Sequence, residues 1–312
     1  MPHITKNGKY ALEKFNAPLN SDLAKAIDKL CNGFGDHYQN YFGPDFIERM
    51  TNKTGGAIVY IAYLEDLNYS CVNDVIENCG NLVICAAASV LYDPDDPKGA
   101  STLHNVFTHI EHRRQGLSKM LVEKVLEAYD RDIVGEYCVL GTGSPFAAKT
   151  YQENGFDHLA GGFDTNGPKG YNPDDLGEWI MIRPSKFDAK SYYSFSKYDQ
   201  LEIVPVKSTH YTQLVLLFNA QTEEKSNKCF ALDIESGIQA EERLTKFFQS
   251  SKFKNSKIPL CYVVVVGTRV HGVAARLDGT SNSWDVYACV NKKQIEEKFR
   301  QEIDKSNAST KR

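Results

Sequence analysis

The chain has 312 residues and a formal net charge of −4, with 42% hydrophobic and 24% charged residues. This balance is typical of a soluble globular protein long enough for two domains. No long basic run is present, which argues against an obligatory nucleic-acid partner. No run of about eighteen apolar residues is present either, so no membrane association is expected. The opening residues, Met1 to Lys6, lack an apolar signal core, and we expect a cytoplasmic protein.

The cysteines and histidines show no spacing that indicates a metal site. The eight cysteines form no CxxC pair, and the eight histidines are not arranged as ligands. Cys85, Cys138 and Cys261 lie in apolar, strand-like runs, which predicts buried, reduced thiols. We therefore expect no bound metal.

The first elements along the chain are predicted from hydrophobic periodicity. A strand is expected at Lys9–Phe15, a helix at Asp22–Asn32 and a shorter helix at Pro44–Met50. Strands follow at Ala57–Leu64 and Leu82–Tyr92. The polar, acidic segment between them, at 65–80, is longer than a hairpin turn needs and is interpreted as an insertion.

A turn at Asp93–Gly99 and a strand at Thr102–Ile110 come next. Strand alternation predicts that Thr102, His104 and Val106 lie on one face. A helix then begins near Gly116, with apolar positions at Leu117, Met120, Leu121, Val125 and Ala128. Backbone N–H groups at a helix start, together with the helix dipole, favour a bound phosphate, and Arg113 and Arg114 add donors suited to phosphate oxygens.

The sequence Arg113-Arg114-Gln115-Gly116-Leu117-Ser118 follows the pattern Arg/Gln-x-x-Gly-x-Gly/Ala except at its last position. Neither the P-loop pattern nor the dinucleotide-binding pattern is present. The segment resembles the acyl-CoA pyrophosphate loop of GCN5-related N-acetyltransferases. Ser118 stands where that family usually has glycine or alanine, and it is small enough to keep a close approach.

A second motif follows a predicted strand at Tyr137–Leu140. Ser144 suits a helix N-cap, Pro145 suits the first helical position, and Gly155 suits the helix end. Ser144, Ala147, Tyr151 and the pair Gly155-Phe156 fall where the same family has an Asn, an Ala, a Tyr and a Gly-Phe pair. Serine here replaces the usual asparagine.

The order of elements also resembles this family, because strands at His158–Phe163 and Trp179–Ile182 complete the predicted sheet. The fold class expected from the resemblance is α+β, with a central, mostly antiparallel sheet flanked by helices. The predicted catalytic domain spans residues 1–184, and a Ser/Tyr/Lys-rich linker follows at 185–200.

Residues 201–312 are predicted to form a smaller α+β domain. It is either a degenerate copy of the same fold without cofactor motifs, or an unrelated α+β cap. Its expected elements are a strand at Leu201–Val206, helices at Ser208–Phe218 and Glu241–Phe248, a hairpin over Tyr262–Leu277, a strand at Trp284–Val290 and a helix at Gln294–Ile303.

The resemblance implies acetyl-CoA as co-substrate and a set of residues that hold it. These are Val106, Phe107, Thr108, Arg113, Arg114, Gln115, Gly116, Leu117, Ser118, Ser144 and Ala147. By position, Tyr151 would be the general acid that protonates the leaving thiolate, and the alternative is that its ring only packs beneath the sheet. His104 is a candidate general base, because its ordinary pKa suits proton removal at neutral pH, and the alternative is an ordinary half-exposed strand histidine.

The acceptor is the least defined part of the predicted reaction. Acidic residues in two segments would attract a cationic amine: Glu65, Asp66, Asp74 and Glu77, then Asp157, Asp164, Asp174, Asp175 and Glu178. The primary interpretation is an N-acetyltransferase acting on a small-molecule amine, as a monomer or homodimer. The alternatives are a protein or peptide N-acetyltransferase, and a non-catalytic acyl-CoA-binding protein.

Overall fold

The computed structural model describes residues 3–4, 10–32, 50–51, 56–64, 84–161, 179–184, 186–196, 200–220, 228–229, 234–235, 244, 247, 261–276, 284–288 and 291–310. The chain divides into two compact units, Met1–Cys138 and Val139–Arg312. The predicted domain limits at 184 and 201 remain predictions.

The first unit is built on an antiparallel sheet in which each strand pairs with the next along the chain. The strands are β1 (His3–Ile4), β2 (Tyr10–Asn16), β3 (Gly56–Leu64), β4 (Ile84–Asp93) and β5 (Asp96–Thr108). β5 begins earlier than predicted, because the turn before it is short. The backbone N–H of Asp95 donates to the Asp93 carboxylate at 2.9 Å and closes that turn.

Two helices belong to the first unit. α1 (Ser21–Asn32) buries Leu23, Ala24 and Ile27 in a core cluster with strand residues such as Val59, Ala87 and Phe107. α2 (Leu117–Asp132) contacts β3, β4 and β5, and the apolar positions Leu121, Val122 and Val125 are buried. Both helices lie where the periodicity predicts them.

Strand β6 (Tyr137–Thr142) contains the boundary between the units. The second unit continues with α3 (Pro145–Glu153), the antiparallel pair β7 (Asp157–Gly161) and β8 (Trp179–Arg183), and the short helix α4 (Ala189–Tyr192). The remaining elements are β9 (Leu201–Pro205), α5 (Tyr211–Asn219), β10 (Lys228–Cys229), β11 (Ile234–Glu235), β12 (Cys261–Val266), β13 (Arg269–Arg276), β14 (Trp284–Ala288) and α6 (Lys292–Thr310).

A four-stranded sheet with the order β14-β13-β12-β9 forms the second core. The predicted hairpin is confirmed as β12 and β13, and β9 and β14 flank it on either side. α6 contributes Ile295 and Phe299 to a cluster with Val264, Ala274 and Val286. The predicted mixed α+β class is confirmed, with a large antiparallel sheet in the first unit and a smaller one here.

Part of the stretch at 186–196 packs against β13, and the assignment of 185–200 as a linker remains a prediction. Tyr192 and Tyr193 are both buried. Arg269 Nη1 donates to the Tyr192 carbonyl at 3.1 Å, and His271 Nδ1 lies 3.0 Å from the Tyr193 carbonyl oxygen. The aromatic side chains of this polar-looking stretch are the reason, since they bury against the sheet.

Some of the predicted elements fall on residues outside the described ranges. These are the helix at Pro44–Met50 apart from Met50, the acidic insertion at 65–80, most of the acidic segment 157–178, and the helix at Glu241–Phe248 apart from Leu244 and Phe247. Cys85, Cys138 and Cys261 are buried free thiols, as predicted. Among the helices of the described ranges, none is both long and apolar enough to cross a membrane.

The partly buried carboxyl of Glu13 on β2 should make the stability of the fold depend on pH in an unusual way. Burial raises the pKa of its carboxyl from 4.5 to about 6, although a hydrogen bond with Tyr63 acts in the opposite direction. A raised pKa means that the folded state favours the protonated form, so this contribution to stability is present below pH 4.5 and is lost as the pH rises through 6. We therefore expect Glu13→Gln to raise the unfolding temperature at pH 7 and to change it little at pH 4.

The measurement is a thermal unfolding series from pH 4 to pH 7 on the wild type and the variant. Glu297→Gln, at an exposed position on α6, is the matched control and should leave the curve unchanged. A Glu13→Gln protein that gains nothing between pH 4 and pH 7 would contradict this assignment.

Candidate functional site

The turn between β5 and α2 changes the chain direction within a few residues. A single helical turn at Ile110–His112 leads into three exposed residues, Arg113, Arg114 and Gln115. Gly116 then caps α2 with a left-handed backbone, φ 77°, and Arg114 is left-handed too, φ 61°. A Cβ placed on Gly116 would meet no atom within 4 Å. The space in front of the helix start is therefore open on the side of this residue.

The charge around the start of α2 favours an anion. No acidic residue lies in its first turn. Leu117 is buried, so its backbone N–H and not its side chain can meet a ligand. The first N–H groups of a helix have no partner within the helix, and they carry the positive end of its dipole. With Arg114 exposed beside them, these groups form a suitable site for a phosphate.

Contacts at the end of β5 hold the turn in place. Thr108 Oγ1 lies 2.8 Å from Ser118 Oγ, so a hydroxyl pair joins the last residue of the strand to the first turn of the helix. Arg113 Nε donates to the Thr108 carbonyl at 3.3 Å. Ser118 is thus more than a small residue that permits a close approach, because its hydroxyl fixes the helix to the strand.

A histidine just before the loop fixes it to a distant strand. The His112 ring is buried, and its Nδ1 shares a hydrogen bond with the Tyr10 hydroxyl at 3.1 Å. The two rings also meet edge to face, with centroids 5.7 Å apart. This contact anchors the loop to β2, and nothing in the local sequence predicts it.

β5 is irregular immediately before the loop. His104 pairs with Ser89 and Phe107 pairs with Ala87, so Asn105 and Val106 both oppose Ala88 in a bulge. The backbone of Asn105 is left-handed, φ 54°. The predicted alternation is therefore wrong at Val106, since the extra residue interrupts the period of two.

The bulge leaves His104 and Phe107 in different surroundings. Phe107 is buried in the core cluster with α1. His104 is only half-buried, and its backbone carbonyl accepts a hydrogen bond from Ser89 Oγ at 2.9 Å. A role of His104 as general base remains a prediction.

The second motif lies in the second unit and has the predicted local form. Ser144 Oγ accepts from the Ala147 N–H at 3.3 Å, so Ser144 caps α3. At the other end Gly155 is left-handed, φ 85°, and the Phe156 N–H donates to the Tyr151 carbonyl at 3.1 Å. The structure thus accounts for Ser144 and Gly155 as the caps of one short helix.

Tyr151 is buried within this motif, with 7% of its surface exposed. Its ring meets Phe156 at a centroid distance of 6.2 Å. This packing is what a purely structural role of Tyr151 requires. It also restricts the movement of the ring, which a catalytic role would need. The catalytic role of Tyr151 therefore remains a prediction, as do the contacts of Ser144 and Ala147 with a cofactor.

One group of potential metal ligands is not apparent from sequence spacing. Single donor atoms of His109, Glu111 and His112 all lie within 4.8 Å of one another. The three residues share one turn, and the capping of that turn by His109 brings them together. The sequence expectation of no bound metal remains a prediction.

Comparison with protein families identifies the domain that carries the loop. Residues 34–156 match the model of the acetyltransferase (GNAT) family. The match includes both motifs, Arg113–Ser118 and Ser144–Phe156. No curated protein matches the chain. The predictions of a GNAT domain and of an N-acetyltransferase enzyme are confirmed.

The solved structures that match this chain share little sequence with it. Escherichia coli ElaA is 16% identical, with a TM-score of 0.40, over 59% of this chain and 99% of its own. An acyl-CoA N-acyltransferase from Pseudomonas aeruginosa is 16% identical, with a TM-score of 0.39, over 56% and 99%. The ribosomal-protein-S18-alanine N-acetyltransferase from Escherichia coli is 15% identical, with a TM-score of 0.35, over 57% and 96%.

The hydroxyl pair between β5 and α2 can be tested by a double-mutant cycle. Thr108→Val and Ser118→Ala each remove one partner, and each should lower the free energy of unfolding by about 1 kcal/mol. Because both changes remove the same hydrogen bond, the double variant should lose less than the sum of the two. Denaturant unfolding of the four proteins measures this. Additive losses would mean that the two hydroxyls act independently.

Proposed function

Because the chain carries an N-acetyltransferase domain of the acetyltransferase (GNAT) family at residues 34–156, we propose that it transfers an acetyl group from acetyl-CoA to a primary amine of a small, cationic acceptor. The observation that supports the cofactor best is the start of α2. A left-handed glycine, a first turn without acidic residues and exposed arginines lie together there, and this combination supports a phosphate site at the predicted loop.

The residues that would hold acetyl-CoA fall into three groups. Backbone groups of the loop Arg113–Ser118, together with the arginine side chains, would bind the pyrophosphate. Backbone groups of Val106, Phe107 and Thr108, at the end of β5, would meet the pantetheine arm. Ser144 and Ala147 are proposed to complete the cofactor contacts from α3. When bound, acetyl-CoA would supply the acetyl group, and CoA would depart as the free thiol.

The proposed chemistry requires one proton to be removed and one to be donated. A phenol has a pKa near 10 and a free thiol near 8.5, so the Tyr151 hydroxyl can donate to a departing sulfur. A free imidazole has a pKa near neutrality, so His104 is the candidate that would accept the proton of the attacking amine. Direct attack needs no covalent enzyme intermediate, so these two residues are the ones to test.

The proposed acceptor class rests on charge. The acidic residues of 65–80 and 157–178 would raise the local concentration of a cationic amine. A panel of amino acids, polyamines and peptides, assayed for release of CoA, tests this proposal. Turnover confined to peptides would replace the small-amine acceptor with a protein acceptor, and binding of acetyl-CoA without turnover on any amine would favour a non-catalytic role.

Gly116→Val is expected to weaken acetyl-CoA binding strongly. The valine side chain would enter the open space at the start of α2, where we place the pyrophosphate. Gly267→Val is the matched control. Gly267 is also left-handed, φ 63°, and a Cβ added to it would also meet no atom within 4 Å. It lies in the β12–β13 turn and not in the loop. Calorimetry should show lost affinity in the first variant only, and one acetyl-CoA per wild-type chain. Equal affinity in both folded variants would remove the loop from the cofactor site.

Tyr151→Phe is expected to lower kcat by about 10²–10⁴-fold, the usual contribution of a general acid, with little change in KM for acetyl-CoA. The phenyl ring keeps the packing against Phe156. Tyr287→Phe is the control, because it also removes a buried hydroxyl, one that donates to the Leu217 carbonyl at 3.4 Å. A loss of less than about threefold would make Tyr151 a structural residue, because general-acid help is normally much larger.

A further inference from the structure

Asn105 combines two features that no other described residue combines. Its backbone is left-handed, φ 54°, and both polar atoms of its carboxamide are buried without a hydrogen-bond partner. Only 4% of the residue is exposed. The other described non-glycine residues with positive φ are Arg114, Val134 and Asn291, and all three are exposed.

Neither feature favours folding. A buried carboxamide gives up its hydrogen bonds to water, and it regains nothing unless a partner is present. A left-handed backbone suits glycine best, and asparagine tolerates it better than other residues with a Cβ, so the unpartnered carboxamide is the larger of the two costs. Glycine at this position would avoid both penalties. Asparagine here is therefore poorly explained by stability, and such features are typical of sites that bind a ligand.

The bulge places Asn105 next to the proposed path of the cofactor. Asn105 immediately precedes Val106, Phe107 and Thr108, whose backbone groups we assign to the pantetheine arm. Thr108 in turn contacts Ser118 in the first turn of α2. One short piece of β5 thus leads from the unpaired carboxamide to the proposed pyrophosphate site.

The chemistry of the side chain indicates the kind of group it would bind. A carboxamide offers both N–H donors and a carbonyl acceptor, so it complements another amide, which presents one donor and one acceptor. The pantetheine arm of acyl-CoA carries secondary amides. We propose that the Asn105 carboxamide hydrogen-bonds an amide of the pantetheine arm, an inference that rests on the proposed function.

The decisive variant is Asn105→Gly, studied with two ligands. Acetyl-CoA contains the pantetheine arm, whereas adenosine 3′,5′-bisphosphate contains only the nucleotide half of CoA. Loss of one or two hydrogen bonds should weaken acetyl-CoA binding by about 5- to 50-fold, and binding of the bisphosphate should not change. The unfolding temperature should stay equal or rise, because glycine accepts this backbone conformation.

Two further variants control for effects on the backbone and on folding. Asn291, the residue before α6, is an exposed asparagine with nearly the same φ, 57°. Asn291→Gly should leave the affinities for acetyl-CoA and for the bisphosphate unchanged. Asn105→Asp keeps a residue that tolerates the left-handed region but removes the N–H donors. Asn105→Asp should also weaken the binding of acetyl-CoA and leave the binding of the bisphosphate unchanged. This variant tests the proposal if the glycine variant does not fold.

The outcomes separate this inference from the proposed function. A wild-type protein that binds neither ligand would overturn the cofactor assignment itself. A wild type that binds both, with an Asn105→Gly variant of unchanged acetyl-CoA affinity, would overturn only the role of Asn105. A variant that is less stable and binds both ligands equally poorly would show that the side chain supports the bulge instead of the cofactor.

Discussion

The proposed site depends on a single backbone constraint, the reversal of the chain between β5 and α2. The left-handed conformation of Gly116 allows the helix to begin directly after a short turn. The Thr108–Ser118 hydroxyl pair then holds the helix start against the end of the strand. A residue with a Cβ would disfavour this backbone and also fill the space in front of it. One glycine thus allows the chain reversal and leaves open the space in which we propose that an anion binds.

The bulge in β5 determines which face of the sheet Phe107 occupies. Asn105 and Val106 together oppose one residue of β4, so Phe107 pairs with Ala87 and lies in the core with α1. Without the extra residue, Phe107 would lie on the other face of the sheet. The irregular part of the sheet therefore lies close in the chain to the turn between β5 and α2, and both belong to one continuous stretch.

The features that can be predicted from the sequence are those determined by neighbouring residues. Ser144 and Gly155 cap α3 because a hydroxyl and a missing side chain act on the adjacent backbone, and Gly116 begins α2 for the same kind of reason. The contact between Tyr10 and His112 joins residues 102 positions apart, and no local pattern reports it. The bulge escapes prediction because alternation assumes an uninterrupted strand. The burial of Tyr192 and Tyr193 is not apparent from the sequence, because the composition of the stretch around them is polar.

The two apolar cores of the chain explain why it tolerates locally destabilising residues such as Asn105 and Glu13. The sheet of the second unit flanks its central hairpin with β9 and β14, and α6 covers it with Ile295 and Phe299. Arg269 adds a cation–π contact, 4.0 Å from the Tyr192 ring. In the first unit, α1 and the strands form a separate apolar core. Because burial of such cores is the main favourable term in folding, a local cost at Asn105 or Glu13 is tolerated. A site residue that destabilises the fold therefore needs a reason outside folding, and a ligand amide provides one for Asn105.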